Sequence, residues 1–505
     1  MRKALICLTV AVGLVLGVEL LASAETVRKI LVIEKGTKDR VIDLVEGLGG
    51  TVVNELEHIE ESLIVDIPVG KQTDLAAARE VLKAHDDEIM VFIPPWRRYE
   101  ASVKKEEERR PKELEQYTGD DWGYDRIDVE EIHWPGLSRI VHQSSMKSPE
   151  DSVNIGFILM GAVGLVGAGL VRWRGRRGLF LGLTLVGLSS LVAGCAGGVV
   201  MIIEGAGVRV ALLDTGIDFD HPDINANVNV ALSRNCLTGT CVAGGDDDNG
   251  HGSWTGGIIA AERRNEADKP FDKKIGVAPK AELIAIKVCD AGGSCPSSAI
   301  LAGMNYAISV GAKVANMSLG SGAFARGTLP TYCQPKPGDP TGGTGIYDPA
   351  LRAMFVNNIT LVVAAGNFSS AYNLGPGNFA ALFASCRGTI AVAATSPADR
   401  MACTSFYTGF GEDVELAAPG EYVFSLDLMP PTWEGYMAGS GTSAAAPFVT
   451  GVAALLYSTG VNTPTAVRTR LLATADNVIQ ACGLVTPEPI VDAEEAVLGS
   501  QNGDN

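Results

Sequence analysis

The chain has 505 residues, 46% hydrophobic and 20% charged, a globular balance with material for two or three domains. Its 59 acidic residues outnumber 41 lysines and arginines, giving a formal net charge of -18. That sign excludes nucleic acid as a partner, because phosphate binding needs a concentrated cationic face.

In chain order, residues 1–24 (MRKALICLTVAVGLVLGVELLASA) join a cationic start to an apolar run and a small-residue end, the pattern of a cleaved export signal. An uncleaved anchor helix is the other reading. Export would place Cys236, Cys241, Cys289, Cys295, Cys333, Cys386, Cys403 and Cys482 where disulfides persist, and none of them has the CxxC spacing of a zinc site. Residues 25–103 read as one small α+β domain of order β-α-β-β-α-β. Its strands are KILVIEKG, two within TVVNELEHIEESLIVDIPV, and a last run IMVFIPP; its helices are TKDRVIDLVEGLGG and DLAAAREVLKAH. Residues 104–121, in ASVKKEEERRPKELEQYTGDD, form a charged linker open to proteolysis.

Residues 122–150 begin WGYDRIDVEEIHW, and 151–203 contain two apolar runs. The first, IGFILMGAVGLVGAGLV at 155–171, has seventeen residues without a charge, enough to span a bilayer. Arg172, Arg174, Arg176 and Arg177 separate it from a second run ending at Ile203, so the pair reads as a membrane hairpin with a cytoplasmic loop and lipid as its partner. The second run also contains Val192-Ala193-Gly194-Cys195, which resembles a bacterial lipoprotein processing site. An intact hairpin and a lipid anchor at Cys195 both remain open.

From 204 to 490 short apolar runs (VRVALLD, ELIAIKV, VANMSL, TLVVAAGN, TIAVAAT) alternate with helical stretches such as SAILAGMNYAISVG and AAAPFVTGVAALLYSTG. Strands apolar along most of their length belong to a parallel sheet covered on both faces, hence a doubly wound α/β domain with its site at the carboxyl ends of the strands. Residues 491–505 are a polar tail.

Asp214 closes VRVALLD, where a carboxylate points to a site or to a loop hydrogen bond. Of six histidines only His221 and His251 fall in the α/β domain. His251, between glycines in NGHGSWTGGIIAA, is the better base, though a structural histidine fits the residue taken alone. Ser443 opens an apolar helix in GSGTSAAAPFVTG and reads as an N-cap or as a nucleophile, and Asn367 ends TLVVAAGN as a turn asparagine or an oxyanion donor.

Together VALLDTGIDFDHPDI, GHGSWTGGIIAA, VANMSLGSG, VVAAGN, LAAPG and GTSAAAPFVTG resemble the subtilisin-like serine protease family over about residues 204–480. The resemblance implies that Asp214 orients the base, His251 is the general base and acid, Ser443 attacks the carbonyl, and Asn367 binds the oxyanion with the Ser443 N–H. It implies that Ser318, Leu319, Gly320 and Gly366 bind extended substrate. It implies protein or peptide substrates, no cofactor for catalysis, and structural calcium with Asp223 at one ligand position. Trp254 and Phe448 stand where the family often has histidine, and Ala444 where methionine is usual, which puts the pocket's shape in question. Residues 25–103 resemble the family's propeptide, a folding aid that then blocks the cleft. The acidic run Asp246–Asp248 reads as a solvated loop.

The implied protein is an exported serine endopeptidase working through an acyl-enzyme, made as a self-inhibited zymogen and tethered outside the cytoplasm. Alternatives are a silent binding protein on the same scaffold, or a tethered regulatory protease that releases an envelope protein.

Overall fold

A computed structural model describes residues 25–91, 203–263, 275–320, 329–368, 380–398, 400–403, 407–428, 435–476, 485 and 487–499. Expectations for 1–24, the linker, 122–150, the hairpin before Ile203 and the end of the tail therefore lie outside the described residues. No helix among the described residues is long and apolar enough to cross a membrane.

The small N-terminal unit runs β1 (Thr26–Ile33), α1 (Lys38–Gly47), β2 (Thr51–Asn54), β3 (Ser62–Pro68), α2 (Gln72–Ala76) and β4 (Val81–Asp86). Its sheet is antiparallel in the order β2-β3-β1-β4. Leu31, Ile33, Leu63, Val65 and Ile67 alternate onto one face and share a core with Val41 and Val45 of α1 and Leu75 of α2. The expected element order holds, but its last two members are displaced. DLAAAREVLKAH has helical spacing, yet the helix stops at Ala76 and Val81–Asp86 pairs with β1. The open edge of β1 offers that segment a ladder and seats Lys29 against Asp86 at 2.5 Å, which overrides the local helical pattern. IMVFIPP is likewise not the fourth strand: β5 (Ile89–Val91) leaves the small sheet altogether.

The larger unit is built on six parallel strands, introduced in chain order as β6 (Arg209–Asp214), β7 (Glu282–Lys287), β9 (Val314–Met317), β10 (Thr360–Ala364), β11 (Thr389–Ser396) and β12 (Leu416–Pro419), with a short β8 (Ser294–Pro296) between β7 and β9. In space the six lie β12-β11-β10-β9-β6-β7. The chain thus steps from β6 outward to β7 and then returns to the other side of β6 to form β9. A crevice opens at such a reversal, outside the carboxyl ends of β6 and β9, and Asp214 and Ser318 sit there.

Three helices matter for the site. α3 (His251–Ala260) lies between β6 and β7, α4 (Ser297–Ser309) between β8 and β9, and α6 (Thr442–Ser458) follows β12; α5 (Asp348–Val356) connects β9 to β10. α6 is alanine-rich, buried from Thr442 to Leu456, and packed against α3 and the central strands, as a helix apolar all round must be.

The two units share one core. Ile30 and Ile64, on the face of the small sheet opposite its helices, join Leu56, Ile59 and Met90 in the hydrophobic cluster of the α/β unit. The polar contacts are equally specific. Asp87 accepts from Ser298 N at 2.8 Å and Ser298 Oγ at 2.7 Å, and the Glu88 carbonyl accepts from Ser297 N at 2.9 Å, so the small unit satisfies the first free N–H groups of α4. Arg352 of α5 reaches Glu61 at 2.9 Å.

Candidate active site

β6 carries Asp214 to the crevice, and α3 begins at His251 directly opposite. The two side chains are buried, with Nδ1 of His251 2.6 Å from Oδ1 of Asp214. Oδ1 also accepts from Thr215 N at 2.7 Å, and Oδ2 from Thr255 Oγ1 at 3.4 Å. Because the carboxylate can only accept, Nδ1 carries the proton and the lone pair is left on Nε2. Both flanking glycines are required. Gly250 has φ 102°, and a Cβ on Gly252 would stand 1.9 Å from the Gly216 carbonyl oxygen. His221 is committed elsewhere, with Nε2 2.8 Å from the Gly435 carbonyl and Nδ1 accepting from Asp223 N, and burial lowers its pKa below the usual histidine value.

Ser443 is the second residue of α6, and a proline four residues later shapes its surroundings. Pro447 has no N–H, so the Ser443 carbonyl lacks its helical donor. The Ser318 hydroxyl supplies one instead, at 2.9 Å, and the Ser443 hydroxyl donates back to the Ser318 carbonyl at 3.2 Å. Ser318 Oγ is held in turn by Asn316 Nδ2 at 2.9 Å, and Asn316 Oδ1 by Thr450 Oγ1 at 2.9 Å. A buried polar chain therefore runs from the middle of α6 through β9 to the serine.

Asn367 lies beside the same helix start. Its Oδ1 accepts from Thr442 N at 2.8 Å and Thr442 Oγ1 at 3.0 Å, which turns the amide nitrogen away from the helix on an exposed residue. Ser318 and Leu319 are buried, so a bound chain would meet their backbone. A Cβ on either Gly320 or Gly366 would stand 3.0 Å from Ala381 Cβ, so both positions keep open the space around that residue.

Other expectations change. Trp254, Ala444 and Phe448 are fully buried, as are Asp214 and His251. Trp254 packs 6.1 Å from the His251 ring and donates to the Val423 carbonyl at 3.2 Å. The Asp223 carboxylate accepts the Tyr436 hydroxyl at Oδ2; among the described residues only Asp476, Asp492 and Glu495 bring three acidic groups together. The run Asp246–Asp248 is not simply solvated: Asp247 is buried and Asp248 pairs with Lys287 at 2.6 Å. Disulfides join Cys236 to Cys241, Cys289 to Cys295 and Cys333 to Cys386, and Cys403 is also disulfide-bonded.

Sequence reasoning missed β8. Its three residues pair antiparallel with β5 of the small unit, Ser294 opposite Val91 and Pro296 opposite Ile89. Three residues holding a cysteine and a proline give no alternation to read, and the Cys289–Cys295 spacing was the one available signal.

A buried acid–imidazole couple beside a helix-start serine, at the switch point of a parallel sheet, is the layout of a serine hydrolase. Residues 205–495 match the model of the Subtilase family, described as Peptidase_S8. The chain is 34% identical to thermitase of Thermoactinomyces vulgaris over 305 residues, 59% of this chain and 90% of thermitase. It is 32% identical to subtilisin DY of Bacillus licheniformis over 276 residues, 54% of this chain and 86% of that protein. The chain belongs to the subtilase family. It is a subtilisin-like serine endopeptidase with the α/β fold of that family.

Proposed function

We propose that Asp214, His251 and Ser443 form the hydrolytic triad of this endopeptidase, the observation carrying it being the 2.6 Å contact between His251 Nδ1 and Asp214. Nε2 takes the Ser443 proton as the hydroxyl attacks the scissile carbonyl, and later returns it to the leaving amine. The oxyanion faces the Asn367 amide and the Ser443 N–H at the start of α6, where no intrahelical acceptor exists. The Ser318–Gly320 backbone and β8 are the two edges between which a substrate strand lies. Asn367→Leu is expected to lower kcat by about 10²–10³-fold, the scale for losing one oxyanion donor. A kcat equal to wild type on a peptide anilide removes Asn367 from this role.

We further propose that residues 25–103 are a propeptide that inhibits its own enzyme, because β5 occupies the β8 edge a substrate would use. The linker 104–121 is then the place of self-cleavage, and export with tethering through 151–203 keeps both units outside the cytoplasm. The full Ser443→Ala chain is expected to accumulate uncut. Cleavage in the linker by that variant, purified alone, overturns self-processing. Mass spectrometry of the wild-type membrane fraction reads the anchor: an acylated N-terminal Cys195 indicates lipid, and a peptide running from Leu191 to Arg209 the intact hairpin.

A further inference from the structure

Asp247 is an acidic residue almost wholly buried four positions before His251, and its carboxylate meets five donors. Oδ1 accepts from Thr215 Oγ1 at 2.8 Å, Asn249 N at 3.0 Å and Gly250 N at 3.1 Å. Oδ2 accepts from Ser253 N at 2.9 Å and Ser253 Oγ at 2.7 Å. Thr215, the residue after Asp214, accepts in turn from Gly252 N at 2.9 Å. The two residues before His251 and the two after it are thus all fixed by Asp247, directly or through Thr215. The same threonine adjoins the carboxylate that the imidazole faces, so a single acidic group sets both sides of the contact between His251 and Asp214. The neighbouring charge differs: among the described residues, half-exposed Asp248 makes no hydrogen bond to those flanking His251 and pairs at 2.6 Å with Lys287, whose ammonium also donates to the Thr215 carbonyl at 2.5 Å.

We propose that Asp247 is a positioning residue for hydrolysis, holding the His251 turn and the end of β6 in the one arrangement that keeps Nδ1 against Asp214. A carboxylate suits five converging donors because it only accepts. An asparagine of the same shape must turn an N–H₂ toward an N–H or O–H, and that repulsion opens the turn. The imidazole then moves relative to Ser443, and small misplacements of a reacting group are costly.

The inference rests on the proposed triad, so the test first establishes it: phenylmethanesulfonyl fluoride should label Ser443 of the wild-type enzyme and abolish hydrolysis. Absence of that label sinks the triad and not Asp247 in particular. Asp247→Asn, expressed as the full chain with its linker cut in trans by wild-type enzyme, is expected to lose about 10²-fold in kcat with KM within about threefold of wild type. Its far-downfield proton resonance, from the His251 Nδ1–H shared with Asp214, should disappear from folded protein. A wild-type kcat overturns the proposal, as does a fall matched by the unfolded fraction with the resonance intact in the remainder. Should Asp247→Asn fail to fold, Thr215→Val decides. It keeps the carboxylate and removes the bridging hydroxyl, and about a 10-fold loss in kcat is expected. An unchanged kcat in that variant overturns the proposal equally.

Discussion

Ser443→Ala is expected to lower kcat by about 10⁶-fold, the scale on which a hydrolytic triad loses its nucleophile, while leaving the fold in place. The hydroxyl makes one hydrogen bond given by the structure, to the Ser318 carbonyl at 3.2 Å. The reverse bond, from Ser318 Oγ to the Ser443 carbonyl, involves only backbone on the α6 side and survives the change. Alanine also suits a helix start rich in alanine. Turnover of a peptide anilide and a denaturation midpoint measured on the same preparation separate the two effects. Hydrolysis within about tenfold of wild type would assign the attack to another group.

Asp214→Asn is expected to cost about 10⁴-fold in kcat. The asparagine can turn its amide nitrogen toward His251, which forces the proton onto Nε2 and leaves no lone pair to receive the serine proton. It can instead keep its oxygen there and give the amide nitrogen to Thr255 Oγ1, the partner of Oδ2 at 3.4 Å. The tautomer is then right, yet the negative charge that balances the imidazolium of the transition state is gone. Burial of both side chains makes that charge count, because no water replaces it. A kcat above about a tenth of wild type would mean that Asp214 plays no such part.

The large unit was readable because its strands are apolar on both faces, and VRVALLD, ELIAIKV and TIAVAAT fall on β6, β7 and β11 almost residue for residue. Asp214, His251 and Ser443 stood out because each is polar at the end of an apolar element. What stayed hidden is held by tertiary contacts. Val81–Asp86 becomes a strand only because β1 has an open edge, and Ile89–Val91 only because β8 waits in the other unit. Asp247 looked like one of three surface acids, since nothing local distinguishes a carboxylate that five donors surround from its solvated neighbours. The Pro447 effect is legible in retrospect: a proline six residues into a helix leaves a carbonyl that some other donor must satisfy.

The strand order also governs when this protein can first do harm. β6 cannot be closed in until β7 has formed on one side and β9 on the other, and α6, which packs against β9, β10, β11 and β12, is synthesised after every one of the six strands. Parallel pairings between such distant segments make folding slow, because the entropy of closing long loops is lost before the contacts that reward it appear. While residues 252–442 are being made, a nascent chain therefore carries Asp214 and His251 without Ser443, and on the proposed triad it remains inert beside the machinery that makes it. The small unit, with short connections and antiparallel neighbours, can be folded long before then. When α6 at last emerges, the surface against which α4 and β8 must settle is already in place.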